Sequence, residues 1–541
     1  MRGAHRTARR RRLIGGLLLL NSAVAIGLAV VFLRASESET DGVAAVPVAV
    51  APVEPTRDWS RRLAPDADGD ATCEGCNVLL LALDIFRPDH LPCMGYPRET
   101  APNICEMIEH GVTFDTFMAH AYQTPIAQMA NFTGLRPSRS GFVSFASQLD
   151  PTIPTLPERL QAAGYQTVAM GSSFEVMADM SAADGERNAF KRDGLNPSLS
   201  FGRGFDRFVF TGNRNQPTDA IPWLRSQSEQ PWFLWVVFGS LHWPYGATAE
   251  PNEQTRFDPP GPEGAVTSTR PPGFRTVSRI YEDRLYSEQG PPEGEPLTAN
   301  DHALINARYD VGLWDADRFI GNLIDSMTPE QLQSTVIVLY GIHGEDLGEH
   351  GYYGHYDIFD VETRMTMVVL DPKLRHSGVR ISSVTEGVDL APTVLDLLGL
   401  PPLPDIDGSS LVPAMEQGHG DPDRVAIVER VPLWEDIFRH KPSIPEGFDE
   451  RVQARLDQGV WRDRGIRDAR YKLIHRTARE VEAEVSWYRY LTGTAPTRPE
   501  WELYDLQADP TEQTNVYATQ SDKVSELQAT LLAWEQSVDT P

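Results

Sequence analysis

Short apolar runs alternate along this chain with segments in which apolar residues recur at helical spacing. Four apolar runs are predicted to be strands: residues 77–83, 164–170, 232–238 and 335–340. Residues 155–163 and 304–327 have the helical pattern. Apolar runs that end at polar turns are typical of strands buried within a parallel sheet. The alternation of strands and helices therefore predicts an α/β fold with a mostly parallel sheet.

The N-terminus has the charge pattern of a membrane-inserted segment. Six arginines fall within residues 1–12, and the 21 residues from 13 to 33 carry no charge. A helix of that length measures about 31 Å, enough to cross the hydrocarbon core of a bilayer. We expect a basic cytoplasmic tail at 1–12, a single transmembrane anchor at 13–33 and a periplasmic or extracellular globular part. A cleaved signal peptide is the alternative, although the run is long for one and a poor cleavage site follows it.

Composition divides the rest of the chain into further parts. Residues 34–74 are rich in Ala, Pro and acidic residues and lack any periodicity, which predicts a disordered, extended tether. We expect an α/β domain at 75–425 and a small C-terminal subdomain at 426–541. Residues 252–300 are rich in Pro, Gly and Glu and are predicted to form a long surface insertion.

The overall charge restricts the class of partner. The 541 residues include 49 Lys and Arg against 76 Asp and Glu, a formal net charge of −27. Binding to a nucleic acid requires clustered cations against the phosphates, so this balance argues against a nucleic-acid partner. With 41% hydrophobic residues the chain can form a sizeable core, which excludes wholesale disorder.

Four cysteines lie within 33 residues of one another: Cys73, Cys76, Cys93 and Cys105. In an exported protein such a cluster predicts one or two local disulfides, with three connectivities open if both form. A lone CxxC pair can also be a redox or metal motif, but no second CxxC and no thioredoxin-like context accompanies this one. Structural cysteines are therefore the better interpretation, and their pairing stays open.

Polar residues follow three of the predicted strands. Asp84 comes directly after the first strand, His242 follows the third, and His343 follows the fourth, with His355 close behind. Ligands of α/β proteins bind beyond the carboxyl ends of parallel strands. Carboxylate oxygens with a few imidazoles suit Ca²⁺, Mg²⁺, Mn²⁺ or Zn²⁺. Each residue alone has an ordinary explanation, such as a helix cap or a hydrogen-bonded loop histidine. The evidence for a site is that all of these residues follow strands of one predicted sheet.

Longer motifs resemble the sulfatase family of the alkaline phosphatase superfamily, in that family's order. They are NVLLLALDIFRPDHLPCMGY (77–96), FLWVVFGSLHWPY (233–245), YDVGLWDADRFIGNLI (309–324), HGEDLGEHG (343–351), VDLAPTVLDLLG (388–399) and ELYDLQADP (502–510). The resemblance implies a large, mostly parallel mixed sheet sandwiched by helices, with a small C-terminal subdomain. It also implies a divalent metal that polarises a sulfate or phosphate ester while an activated nucleophile attacks.

The same resemblance places Thr124 at the nucleophile position. Sulfatases convert a Cys or Ser at this position into formylglycine, within a motif that has Arg four residues later. Here these positions are Thr124 and Gln128, so the formylglycine motif is absent. Related branches of the superfamily use an unmodified Thr, which implies that the Thr124 hydroxyl is both nucleophile and metal ligand. The alternative is that Thr124 only caps the helix that follows.

The metal ligands implied by the resemblance are Asp84, Thr124 and His343. At the last of these positions the resemblance implies an Asp-His or Asp-Asn pair, but here the pair is Ile342-His343. The loss of one carboxylate is expected to weaken binding of Ca²⁺, Mg²⁺, Mn²⁺ or Zn²⁺. His242 and His355 match positions that contact the substrate and are the further candidate catalytic residues.

Other positions depart from the family pattern. The residue beside Asp84 is Ile85, and a substrate-clamping Lys and His are replaced by Ser172 and Phe174. Two interpretations follow. The first is a membrane-anchored, exported hydrolase or transferase with weakened or altered catalysis on a sulfate or phosphate ester. The second is a catalytically inactive relative that serves as a binding or scaffold protein.

Overall fold

A wide central sheet positions the residues of interest. The computed structural model describes residues 73–143, 147–171, 200–211, 216–227, 230–242, 245–246, 248–259, 299–372, 378–430, 463–477 and 498–539. All of them belong to one compact unit, Arg57–Pro541. The strands are β1 Asn77–Leu83, β2 Val112–Met118, β3 Gln166–Gly171, β4 Arg207–Phe210, β5 Trp232–Phe238, β6 Thr335–Gly341, β7 Asp346–Leu347, β8 Tyr353–Gly354, β9 Arg364–Leu370, β10 Val379–Ile381, β11 Thr385–Glu386, β12 Ala426–Arg430, β13 Asp463–Arg467, β14 Tyr471–His475 and β15 Trp501–Asp505.

The central sheet is mixed but mostly parallel. Its strands lie in the order β10-β2-β9-β6-β1-β5-β3-β4, and β11 also pairs with β2. Strand β9 runs antiparallel to both of its neighbours, β2 and β6, whereas the other pairs are parallel. The β7–β8 pair forms a separate small ribbon. The predicted α/β fold with a mostly parallel mixed sheet is therefore confirmed.

Most of the described helices bury apolar residues against this sheet, whereas the last one packs on the C-terminal sheet. They are α1 Pro102–His110, α2 Thr124–Thr133, α3 Pro137–Ser140, α4 Leu156–Ala162, α5 Ala220–Arg225, α6 Ala299–Asp325, α7 Pro329–Gln333, α8 Asp360–Thr363, α9 Leu390–Leu397, α10 Val412–Gln417 and α11 Ser521–Asp539. The helix expected at 155–163 begins one residue later, because Thr155 is its N-cap and forms a capping box with Glu158.

Helix α6 begins before the predicted boundary of residue 304, at Ala299. Its first turn contains Asn300 and Asp301, polar residues that do not continue the apolar stripe used to predict the helix. Most of the surface insertion expected at 252–300 lies outside the described residues, as do Ser172 and Phe174.

A second, smaller sheet forms the C-terminal region. Strands β12, β13, β14 and β15 are antiparallel and lie in chain order. Helix α11 packs on one face of this sheet through a cluster of buried residues: Ile427, Ile466, Leu473, Leu503, Val524, Leu527 and Leu531. The predicted small C-terminal subdomain thus has a sheet and a helix with a hydrophobic core between them.

The four cysteines form two local disulfides. Cys73 pairs with Cys76, and Cys93 pairs with Cys105. Of the three connectivities left open by the sequence, the structure thus has the one in which each cysteine joins its nearest partner in the chain. No free cysteine occurs in the described part of the chain.

The expected membrane localisation is contradicted. Across the residues that the structure describes, none of the helices combines the length and the apolar character that a bilayer crossing demands. The stretches on which the expectation was based, the basic tail at 1–12 and the uncharged run at 13–33, lie outside those residues, as does nearly all of the tether at 34–74.

Candidate active site

Three side chains from distant parts of the chain meet beyond the carboxyl edge of the central sheet. Thr124 Oγ1 lies 2.9 Å from His343 Nε2 and 3.1 Å from Asp84 Oδ1. His343 Nε2 is 3.4 Å from the same Asp84 oxygen. All three side chains are buried. The structure therefore brings together the three residues that the sequence singled out as metal ligands.

The register of three neighbouring strands explains this convergence. Strand β1 lies between β5 and β6, and Leu83 pairs with Phe238 on one side and Gly341 on the other. Asp84 therefore lies beside the first residues that follow β5 and β6, at the same end of the sheet. Its backbone N–H donates to the carbonyl of Phe238 at 3.0 Å.

Helix α2 supplies the third side chain. Gln123 is the N-cap, and Thr124 is the first helical residue, with Pro125 in the same turn. The cap makes no side-chain hydrogen bond, and the Thr124 hydroxyl contacts Asp84 and His343. The alternative role of Thr124 as a helix cap is therefore wrong. At this end of a helix the backbone dipole also favours negative charge on a nearby oxygen.

His343 is held as a neutral acceptor. Burial lowers its pKa well below the ordinary value, and the neighbouring His355 and His242 lower it further. Its Nδ1 lies 2.8 Å from the carbonyl oxygen of Gly344, which can only accept, so Nδ1 bears the proton. The lone pair of Nε2 consequently faces the Thr124 hydroxyl.

His242 and His355 lie beside this trio. The His355 ring centroid is 4.6 Å from that of His343 and 5.6 Å from that of His242. His355 Nδ1 is 3.3 Å from Glu345 Oε2, and the hydroxyl of Tyr245 donates to Glu345 Oε1 at 2.6 Å. The predicted histidines are thus in place, and two residues to which the sequence gave no role, Glu345 and Tyr245, connect to them.

The two isoleucines next to these ligand candidates, Ile85 and Ile342, are fully buried. Ile342 belongs to the main hydrophobic cluster and offers no donor atom. Ile85 has φ 59°, a left-handed conformation that is uncommon for a β-branched residue. The carbonyl of Ile85 accepts a hydrogen bond from the Tyr309 hydroxyl at 2.7 Å. The hydroxyl oxygen of Tyr309 in turn accepts the backbone N–H of Arg87 at 2.8 Å. Tyr309 therefore stabilises the strained turn directly after Asp84.

Gln128 and the acidic residues near His343 have other partners. Gln128 Oε1 accepts from the Tyr340 hydroxyl at 3.1 Å. Asp346 Oδ2 pairs with His350 Nδ1 at 2.5 Å, and Glu345 is engaged as described above. The motif HGEDLGEHG contains Asp346 together with its partner His350, whereas the partners of Glu345 come from other segments of the chain.

The spacing of Asp84, Thr124 and His343 is compatible with a divalent metal. Neutral His343 and the Asp84 carboxylate are both acceptors, and only the Thr124 hydroxyl proton lies between them. Adjacent ligands of an ion with bonds of about 2.1 Å are separated by roughly 3.0–3.4 Å, which matches the distances here. In the described residues no group of three or more His, Cys, Asp or Glu side chains is arranged for a metal. Asp84, Thr124 and His343 could hold a metal only with the Thr124 oxygen as the third ligand.

Comparison with known proteins adds independent evidence. The N-acetylglucosamine-6-O-sulfatase of Bacteroides thetaiotaomicron is 22% identical over 496 residues, covering 82% of each chain. A solved structure of a protein with its substrate D-glucosamine-2-N,6-O-disulfate has a TM-score of 0.62 at 20% identity, and covers 86% of this chain and 99% of that one. The phosphonate monoester hydrolase of Agrobacterium radiobacter has a TM-score of 0.61 at 22% identity, and covers 86% and 95%.

The two solved structures share the fold of this chain at identities too low to show more. A family model described as Sulfatase matches residues 76–400, more than half of the chain. This match spans the strands and loops that supply Asp84, Thr124 and His343. On this evidence the chain is a member of the sulfatase family.

Proposed function

We propose that the protein is a hydrolase of a sulfate, phosphate or phosphonate ester, with the Thr124 hydroxyl as its nucleophile. The observation that supports this most directly is the 2.9 Å contact between Thr124 Oγ1 and His343 Nε2. A nucleophile within hydrogen-bond reach of a base that is itself oriented is the arrangement expected for covalent catalysis. Here the carbonyl of Gly344 orients the base.

The chemistry balances in two steps. In the first, Thr124 Oγ forms a bond to sulfur or phosphorus, the bond to the leaving oxygen breaks, and His343 Nε2 accepts the hydroxyl proton. The leaving oxygen takes up a proton from solvent and departs as an alcohol. In the second step, water attacks the same sulfur or phosphorus, the bond to Thr124 Oγ breaks, and the water releases one proton to solvent. His343 Nε2 returns its proton to Thr124 Oγ, which restores the hydroxyl as sulfate, phosphate or phosphonate leaves.

His242 and His355 would contact the ester. The His355 ring lies next to the rings of both His343 and His242, and its side chain is 17% exposed. An imidazole N–H of His242 directed at an ester oxygen would stabilise the charge that develops on that oxygen during attack. This role replaces part of what the family's cationic clamp provides.

The metal site, if loaded, would be held by Asp84, Thr124 and His343. A divalent ion bound there would occupy the lone pair of His343 Nε2, and in place of the histidine base it would polarise the ester and lower the pKa of the Thr124 hydroxyl. The set has one carboxylate and one imidazole, with Ile85 and Ile342 beside them. Because Ca²⁺, Mg²⁺ and Mn²⁺ prefer sites made mostly of oxygen ligands, whereas imidazole suits Zn²⁺, we expect Zn²⁺ to bind the most tightly of the four.

The names of the relatives suggest which esters to test. They describe a 6-O-sulfatase of N-acetylglucosamine and a phosphonate monoester hydrolase, and one structure contains a disulfated glucosamine. Sulfated amino sugars and phosphonate monoesters are therefore the first substrates to try. These relatives are hydrolases by name and lend no support to the alternative of an inactive scaffold.

The test measures hydrolysis of 4-nitrophenyl sulfate, 4-nitrophenyl phosphate, a phosphonate mono-4-nitrophenyl ester and glucosamine 6-sulfate. Each assay contains Zn²⁺, Mn²⁺, Mg²⁺ or Ca²⁺. Thr124→Val keeps the shape of the side chain and removes the hydroxyl, and is expected to lower kcat by at least about 10³-fold. The matched control is Thr113→Val, because the buried Thr113 hydroxyl has no hydrogen-bond partner among the described residues. Equal rates for wild type and Thr124→Val, or no turnover of any ester, would contradict the proposal.

A further inference from the structure

Glu345 is a buried carboxylate to which the reaction steps above give no role. It is 1% exposed and lies two residues after His343. Its backbone is fixed on both sides: the N–H donates to the carbonyl of Val361 at 3.1 Å, and the carbonyl accepts from Arg87 at 2.6 Å. A carboxylate held this firmly can direct a neighbouring group without moving itself.

The two carboxylate oxygens of Glu345 have different partners. Oε1 accepts the hydroxyl of Tyr245 at 2.6 Å, and Oε2 faces Nδ1 of His355 at 3.3 Å. Tyr245 comes from the loop after β5, whereas His355 follows β8. Glu345 therefore joins two loops at the edge of the candidate site.

We propose that Glu345, held by Tyr245, is a positioning residue that fixes the tautomer and orientation of His355. A carboxylate can only accept, so it retains the proton of His355 on Nδ1 and leaves Nε2 as an acceptor. Nε2 is then the nitrogen of His355 that can act as a base or accept a hydrogen bond. The kinetic consequence of this inference rests on the proposed function, whereas the tautomer of His355 does not.

The chemistry at His355 follows from this assignment. An imidazole whose Nε2 has a lone pair accepts a hydrogen bond from a hydroxyl or ammonium group of the substrate, or from the attacking water. Glu345 and His355 thus form a carboxylate–imidazole pair next to the neutral His343. The substrate class implied is an ester whose alcohol part has a hydrogen-bond donor near the reacting group, as an amino sugar or polyol has.

The variant Glu345→Gln tests the tautomer. A glutamine whose carbonyl still accepts from Tyr245 would direct its NH₂ group at His355 Nδ1, which would reverse the tautomer. NMR of ¹⁵N-histidine-labelled full-length protein should show His355 protonated on Nδ1 in wild type and on Nε2 in Glu345→Gln. The signal is assigned with His355→Asn. Wild-type protein with the proton on Nε2 would overturn the proposal, whether or not any ester is hydrolysed.

Kinetics then separate positioning from general stability. We expect Glu345→Gln to lower kcat about tenfold with KM changed less than twofold, and Tyr245→Phe to have a smaller effect in the same direction. In a His355→Asn background, Glu345→Gln should cause no further loss, because the two residues act through one contact. Losses that multiply would show that Glu345 acts independently of His355 and would overturn the proposal.

Glu362→Gln is the matched control for these experiments. Glu362 is also fully buried and also accepts a tyrosine hydroxyl, that of Tyr352, at 2.5 Å. Its second oxygen accepts the backbone N–H of Asp357 at 2.7 Å instead of an imidazole. Burial raises the pKa of Glu362 well above its ordinary value, so a neutral amide resembles its native state. This variant should keep the wild-type kcat and the wild-type His355 tautomer, and the same loss in both variants would overturn the proposal.

Discussion

Ile342 donates its backbone N–H to the carbonyl of Leu83 at 2.9 Å, which joins the residue before His343 to the residue before Asp84. This hydrogen bond extends the pairing of β1 and β6 one residue past the strands. It fixes the separation at which Asp84 and His343 leave the sheet. Position 342 therefore lies directly beside a candidate ligand, on a backbone whose hydrogen bond does not depend on the side chain.

Ile342→Asp should convert a weak metal site into a stronger one. The new carboxylate would be buried, and without a cation an unpaired buried charge costs about 3 kcal/mol or more of stability. We expect the apparent melting temperature to fall in EDTA and to rise again with added Zn²⁺, Mn²⁺ or Mg²⁺, by more than the wild-type protein responds. Differential scanning fluorimetry across metal concentrations measures both effects.

Two variants at the same position separate charge from packing. Ile342→Asn adds polarity without charge, and Ile342→Leu changes only shape, so neither should gain a metal response comparable to that of Ile342→Asp. If Ile342→Asp loses stability equally with and without metal, the side chain of residue 342 does not reach the donor trio.

Much of the site could be predicted because it is determined locally. A strand that is apolar throughout must be buried, and in a parallel sheet its carboxyl end opens towards the ligand-binding edge. Asp84 and His343 each follow such a strand, so the position of each residue could be predicted without knowing where the other lies. The position of Thr124 needed the family resemblance, because nothing in the sequence places the start of helix α2 against β1.

Other parts depend on contacts between distant loops and could not be predicted. Tyr309 binds the carbonyl of Ile85 from helix α6, 224 residues away. Tyr245 binds Glu345 from another loop, 100 residues away. Such hydrogen bonds leave no periodic pattern, because a tyrosine in an apolar stripe looks like any other core residue. The left-handed conformation of Ile85 was equally hidden, since β-branched residues rarely adopt it.

His343→Gln should remove the base and leave the fold intact. Glutamine lacks a nitrogen lone pair to accept a proton, whereas the Thr124 hydroxyl can still donate to Asp84 at 3.1 Å. General-base catalysis contributes about 10²–10⁴-fold, so kcat should fall by that amount. Steady-state kinetics on the best ester of the panel measures it. His475→Gln, in the C-terminal sheet, is the control and should retain the wild-type kcat; an unchanged kcat in His343→Gln would exclude the base assignment.

Gly344→Ala should disturb the site from the backbone. A Cβ at Gly344 would lie 2.2 Å from the carbonyl oxygen of Val361. The backbone N–H of Gly344 also donates to the backbone carbonyl of Glu362 at 2.7 Å, which restricts the loop further. Backbone atoms cannot yield as a flexible side chain can, so the loop that carries His343 has to shift. We expect a stability loss of about 1–3 kcal/mol in urea denaturation and a lower kcat. A variant with wild-type stability and kcat would show that this segment is free to adjust.

Stability should depend on pH through Glu512 in the C-terminal region. Burial raises the pKa of this carboxyl to about 7 from an ordinary value of 4.5, although Lys472 lies 3.4 Å away and opposes the shift. Because the folded state holds this proton more tightly, its contribution to stability is full below pH 4.5 and is lost as pH rises through 7. The loss amounts to about 3 kcal/mol. Urea denaturation between pH 5 and 8 should show this decline in wild type and a smaller one in Glu512→Gln, which cannot titrate. Glu526→Gln alters an exposed carboxylate and should follow wild type, and identical pH dependence in all three proteins would exclude Glu512 as the group responsible.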